Sequence, residues 1–177
     1  MKEAALSWHL LRQEAVQTSI LSECTPEVID FLVYNSGGRL TGEAIEYYKI
    51  FPKDCIVVTA SCGERYIGIA CCSIRNGTVK HSILAVNPAY RGRNLGKKLL
   101  VRKIEELNEQ GLIYESLVAC DNEASKKMMS GCGLLSVSSQ FYRKRKKGFY
   151  KCVAYIQTRT TIEFNIRQLT IDKEEIN

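Results

Sequence analysis

Ile83-Leu84-Ala85-Val86-Asn87-Pro88-Ala89-Tyr90-Arg91-Gly92-Arg93-Asn94-Leu95-Gly96-Lys97-Lys98-Leu99-Leu100 runs from an apolar strand, past a proline, through a basic turn into a helix. Pro88 cannot donate a ladder hydrogen bond, so the strand has to part from its neighbour there. The turn opens directly into the helix, whose first backbone N–H groups have no internal partners. Together with the helix dipole they make one spot favourable to an anion. Gly92 and Gly96 keep side chains away from an approaching pyrophosphate, while Arg91, Arg93, Lys97 and Lys98 add positive charge.

Downstream, Asn94 to Gln110 reads as a helix. Leu95, Leu99, Leu100, Ile104 and Leu107 form one apolar stripe, charges fill the other face, and Gly111 ends it. Leu112 to Ala119 is expected as a strand. Asp121-Asn122 then caps a second helix running to about Cys132, with Gly133 after it. Leu134 to Tyr142 and Phe149 to Thr158 read as two further strands joined by a basic run and Gly148.

Upstream, Cys55 to Ala60 and Arg65 to Arg75 are β-branched, apolar runs separated by Ser61-Cys62-Gly63-Glu64. Asn76-Gly77 is a strong hairpin signal, because both residues tolerate positive φ, and Thr78 to Val86 returns as a third antiparallel strand. The first fifty or so residues read as helical. Ala4 to Leu21 is rich in helix formers, Pro26 suits a first turn after Thr25, and Gly37-Gly38 ends that segment. A further helix is expected from Gly42 to Lys49, stopped by Pro52. The order gives an α/β (α+β) fold with a mixed, mostly antiparallel sheet, a splayed central strand and flanking helices.

The bulk numbers agree with an ordinary globular domain: 177 residues, 45% hydrophobic, 25% charged, and only 3 prolines. No stretch reaches the roughly 18 uninterrupted apolar residues of a membrane helix, so no membrane partner is expected. Met1-Lys2-Glu3-Ala4-Ala5 lacks the long apolar core of a secretion signal, so the expected location is cytoplasmic. The 8 cysteines include no C-x-x-C pair, and Cys55, Cys71, Cys72 and Cys152 lie in apolar runs. They read as reduced, buried thiols rather than metal ligands or disulfides. The net charge of +6 owes much to Arg143-Lys144-Arg145-Lys146-Lys147. That run reads as a solvated turn, or as a contact for an acidic partner such as nucleic acid.

The segment quoted first resembles motif A of the GNAT superfamily of N-acetyltransferases, V-x-P-x-Y-R-G-x-G-I-G-x-x-L-L. The family's turn, [Q/R]-x-x-G-x-[G/A], is matched here by Arg91-x-x-Asn94-x-Gly96. Asn94 stands where the family has glycine, and asparagine is the non-glycine residue that best tolerates left-handed geometry. Motif B, N-x-x-A-x-x-x-Y-x-x-x-G-F, is similar to Asn122, Ser125, Met129, Gly133 and Leu134 at the same intervals. The resemblance covers about residues 53 to 158. Met129 departs from the family's frequent tyrosine, which can protonate the departing CoA thiolate; a thioether cannot donate a proton.

The resemblance implies an acyl-CoA-dependent acyltransferase with acetyl-CoA as co-substrate and no metal. It makes residues 1–177 one catalytic domain: 1–52 a helical segment on the acceptor side, 53–158 the core, and 159–177 a polar tail. Leu84, Ala85, Val86, Arg91, Gly92, Arg93, Asn94, Leu95, Gly96, Lys97, Asn122 and Ser125 are the implied cofactor-binding residues. An amine of pKa near 10 must lose a proton to react, and His81 and Glu115 are the candidate bases. Tyr34, Tyr47, Tyr48 and Phe51, with Tyr142 and Tyr150, could line the acceptor site. The acceptor is expected to be a small-molecule or peptide amine. Two alternatives stand beside it: an enzyme that acylates nucleic acid or a nucleic-acid-bound protein, and a CoA-binding sensor or partner module without turnover.

Overall fold

The computed structural model describes residues 16–145 and 148–157. Cys55–Cys62 (β2), Arg65–Arg75 (β3) and Thr78–Val86 (β4) form the expected antiparallel meander. Asn76 (φ 51) and Gly77 (φ 69) supply the two left-handed residues of the β3–β4 turn. A fourth strand, Val16–Leu21 (β1), pairs with β2 at the edge, so the sheet order is β1-β2-β3-β4. This overturns the helix expected from Ala4 to Leu21 as far as it is described. Val-Gln-Thr-Ser-Ile-Leu has β-branched residues that fit a pleated edge, and pairing with an existing strand outweighs weak local helix propensity. Residues 4–15 of that expected helix lie outside the described residues.

Two helices follow β1: Pro26–Asn35 (α1) and Gly42–Ile50 (α2). Thr25 and Thr41 cap them, each side chain accepting a backbone N–H from the first turn. Both helices pack on one face of the sheet, where Val28, Leu32 and Tyr48 meet Val57, Ile69 and Cys71. Leu95–Glu109 (α3) covers the opposite face, with Leu99, Leu100 and Ile104 against Ile56, Val58 and Ala70. Neighbouring residues of β2 therefore enter different cores, which explains why Cys55 to Ala60 is apolar without alternation. A Cβ on Gly68 would stand 2.7 Å from Leu99 Cδ1, so glycine there lets α3 lie close on β3.

The second sheet has the order β5-β7-β6: Glu115–Ala119 (β5), Leu135–Arg145 (β6) and Gly148–Ile156 (β7). Glu123–Gly131 (α4) connects β5 to β6. Strand β5 starts three residues later than expected, because Tyr114 pairs with the end of β7 through Gln157 instead. Arg143, Lys144 and Arg145 end β6, while Lys146, Lys147 and the tail from 159 lie outside the described residues. Strands β4 and β5 are edges of different sheets, with no ladder between them.

One irregularity shapes that seam. Cys71 pairs with Ile83 but Ser73 pairs with Lys80, so His81 and Ser82 together oppose Cys72. This is a β-bulge, and His81 takes the left-handed conformation (φ 45) to form it. The fully buried Tyr48 hydroxyl donates to the His81 carbonyl and holds the bulge. Burial keeps that phenol well above its usual pKa, so it remains a donor across the ordinary pH range.

None of the eight cysteines is in a disulfide, and every one except Cys120 is buried. Burial pushes Cys71 and Cys72 up and raises Cys132 to about 11, as expected of inert core thiols. No group of three or more candidate metal ligands occurs among the described residues. No helix among them is long and apolar enough to cross a membrane.

Tyr48→Phe should leave the His81 carbonyl without its donor and cost about 1–3 kcal/mol. Thermal unfolding would show a fall in Tm of several degrees. An unchanged Tm would mean that the bulge is held without Tyr48.

Candidate active site

The strand–turn–helix segment builds the principal cleft, of about 690 Å³. β4 ends as Asn87 N–H donates to Ile67 O at 2.9 Å, and Pro88–Tyr90 form one 3-10 turn. Gly92 (φ 77) and Asn94 (φ 57) then reverse the chain with left-handed conformations. Asn94 makes no side-chain cap, and the first intrahelical bond runs from Lys98 N to Asn94 O at 3.0 Å. The opening N–H groups of α3 therefore face the cleft without a side-chain acceptor. Arg39, Arg91, Lys97 and Lys127 line this cleft, and among the described residues no acidic one does. Potential, donors and space all favour a phosphorylated ligand.

Ten of the twelve expected cofactor-binding residues line the cleft: Leu84, Val86, Arg91, Gly92, Asn94, Leu95, Gly96, Lys97, Asn122 and Ser125. Ala85 does not; it points into the core under α1 and α2. Arg93 is also absent from the lining and stacks over the Tyr90 ring, 5.6 Å from its centroid. Arg91 has a structural task besides its charge. Its Nε donates to Val86 O at 3.0 Å and its Nη2 to Asn35 O at 3.4 Å, tying the turn to the end of α1. Asn122 caps α4 and donates to Ser125 Oγ at 2.7 Å, so the two expected residues hold each other. Sequence reasoning missed Ser36, Gly37 and Arg39, which arrive from the α1–α2 loop, and Lys127 and Met128 on α4. Only the fold brings those segments to motif A.

The cleft continues into the seam between β4 and β5. A smaller cavity of about 150 Å³ shares Leu84, Asn122, Ser125 and Met128 with it and adds Ser82, Lys103 and Tyr114. Beyond lies a third cavity of about 360 Å³, lined by Lys80, His81, Ser82, Glu115, Ser116 and Leu117. The two expected bases thus share one chamber. His81 is half-buried with its ring 5.4 Å from that of Tyr47, whereas Glu115 is exposed. Of the expected acceptor-side aromatics, Tyr48 belongs to the core instead, and Tyr34 is 87% exposed on α1. The side chains of Tyr142 and Tyr150 lie outside the described residues.

Residues 19–134 match the family model described as acetyltransferase (GNAT) family, and the chain belongs to that family. It is an acyl-CoA-dependent acetyltransferase by that membership. Solved structures share the fold at low identity. The ribosomal-protein-S18-alanine N-acetyltransferase of Escherichia coli is 14% identical with a TM-score of 0.62, over 79% of this chain and 92% of that one. An acetyltransferase of Bacillus subtilis, solved with CoA, is 15% identical with a TM-score of 0.59, over 80% and 97%. The yncA protein of Salmonella typhimurium, solved with acetyl-CoA, is 20% identical with a TM-score of 0.59, over 80% and 92%. No curated protein matches the chain in sequence.

Gly92→Glu should place negative charge at the mouth of the cleft and force a side chain into left-handed backbone. Calorimetric titration should find acetyl-CoA affinity lowered at least about a hundredfold, roughly 2.7 kcal/mol. The circular dichroism spectrum should not change. Wild-type affinity in this variant would place the nucleotide elsewhere.

Proposed function

We propose that the chain transfers the acetyl group of acetyl-CoA to an amine by direct attack within a ternary complex. The observation that carries this reading is the row of three cavities along the β4–β5 seam, each sharing lining residues with the next. A basic, phosphate-suited mouth opens at one end, and a chamber with a histidine and a carboxylate lies at the other. In this reading the N-terminus of α3 and the Arg91–Gly96 turn hold the pyrophosphate, and the open edge of β4 around Leu84 and Val86 receives the pantetheine arm. Acetyl-CoA supplies the activated acyl group at the narrow middle of the row. A backbone N–H at the β4 edge then polarises the thioester carbonyl.

The acceptor amine comes from the far chamber. His81 or Glu115 takes its proton there, directly or through water, since only the neutral amine is nucleophilic. His81 has the stronger claim, because the bulge turns it out of the regular strand. A small-molecule or peptide amine suits that chamber, whose lining includes apolar Val79, Leu117 and Ile156 beside the polar groups.

The deciding experiment supplies acetyl-CoA labelled in the acetyl group to the protein and a cell extract separated into metabolite, protein and nucleic-acid pools. Label should enter the metabolite or protein pool, and His81→Ala should lower the rate about a hundredfold, as loss of a general base does. Label confined to nucleic acid would overturn the amine acceptor and turn attention to Arg143–Lys147. Binding of acetyl-CoA with no label in any pool would favour a sensor without turnover.

A further inference from the structure

The seam contains a set of polar groups that the reading above does not use. Lys103 is on α3 but lies on its sheet-facing side, 1% exposed, where the spacing Leu99–Lys103–Leu107 puts it on the apolar stripe. No carboxylate pairs with it among the described residues. Its Nζ instead donates to Ser82 Oγ at 2.8 Å and stands 5.1 Å from the centre of the Tyr114 ring. The Tyr114 hydroxyl, on a side chain that is 1% exposed, lies 3.4 Å from Ser82 Oγ. Its donor direction points at a sulfur, Met129 Sδ, at 3.9 Å. Gln157 fixes Tyr114 from both sides, since its N–H donates to Tyr114 O at 3.0 Å and its Oε1 accepts from Tyr114 N at 3.1 Å.

A buried lysine without a carboxylate is expensive to keep, and a packed apolar residue of similar size would serve the fold at least as well. Its place suggests a use. Ser82 lines both the middle cavity and the acceptor chamber, whereas Lys103 and Tyr114 line the middle cavity alone. The three groups therefore link the middle cavity to the far chamber.

We infer that Tyr114, Ser82 and Lys103 form a buried proton relay that carries the amine's proton across the seam to the departing CoA sulfur. This rests on the acetyl-transfer reading. The amine nitrogen forms a bond to the acetyl carbon, and the carbon–sulfur bond breaks with its electron pair going to sulfur. Tyr114 gives its phenolic proton to that sulfur and regains one from the Ser82 hydroxyl. Ser82 is restored by the proton that the amine has released into the chamber, so the products are the amide and neutral CoA. Lys103 is a positioning residue: its donation to Ser82 Oγ orients the hydroxyl and stabilises negative charge passing along the relay. The 3.4 Å separation is long for a hydrogen bond, and such contacts tighten when substrate fills the site.

Tyr114→Phe removes one oxygen and keeps the ring, so the test reads chemistry rather than packing. With acetyl-CoA affinity and Tm close to wild type, kcat should fall about a hundredfold. Lys103→Met preserves volume and should lower kcat and move the alkaline limb of the pH–rate profile, which a merely structural lysine would not do. A second measurement does not depend on turnover. The thiolate absorbance of bound CoA, taken as a difference from bound desulfo-CoA, should appear at lower pH in wild type than in Tyr114→Phe, because the phenol stabilises the thiolate. Unchanged kcat, or identical thiol titrations in the two proteins, would overturn the relay. A wild type that binds CoA, shows this titration difference and transfers no acetyl group would sink the transferase reading while leaving the Tyr114–sulfur contact standing. Failure to bind CoA would remove both.

Discussion

The bulge at His81–Ser82 is the constraint on which the site depends. One extra residue in β4, set against Cys72 of β3, turns the strand away from the regular pleat just before the segment that meets β5. The left-handed His81 is costly backbone, of order 1–3 kcal/mol. It persists because the Tyr48 hydroxyl holds its carbonyl from the α2 side. Tyr48 is fully buried, so the strain is held by the core under α1 and α2.

A second device, at the other end of β4, completes the opening. Pro88 ends the ladder, and Gly92 with Asn94 folds the chain so that α3 begins at the mouth of the cleft. Arg91 locks this turn to Val86 and to the end of α1. One side chain therefore ties the basic mouth both to the end of β4 and to the end of α1. Preorganisation of this kind reduces the entropic cost of binding.

Much of this was legible in the residues. The Asn-Gly turn, the three-strand meander, the α3 stripe and the Val86–Leu100 turn each follow from local chemistry that the fold leaves intact. The misreadings arose where distant packing decided the outcome. Val16–Leu21 is a strand because β2 offers an edge, and nothing within six residues of sequence reports that edge. Lys103 lies on the buried side of α3, and its i, i+4 relation to Leu99 and Leu107 was the available signal. Tyr114 carried no signal at all, since its hydroxyl gains meaning only from Ser82, Met129 and Lys103 in other elements. Ala85 illustrates the period of two: flanked by Leu84 and Val86 on the cleft, it belongs to the opposite face.

The seam between the sheets also ties the chain's persistence to its chemical surroundings. Where β4 and β5 face each other no ladder joins the two sheets, and side-chain packing alone crosses the seam. A molecule bound there would bind only the native form, so each tenfold rise in its concentration above Kd would deepen the native well by about 1.4 kcal/mol. For a domain of ordinary stability that is a substantial fraction of the whole. Proteolysis and unfolding would then proceed fastest when this occupant is scarce.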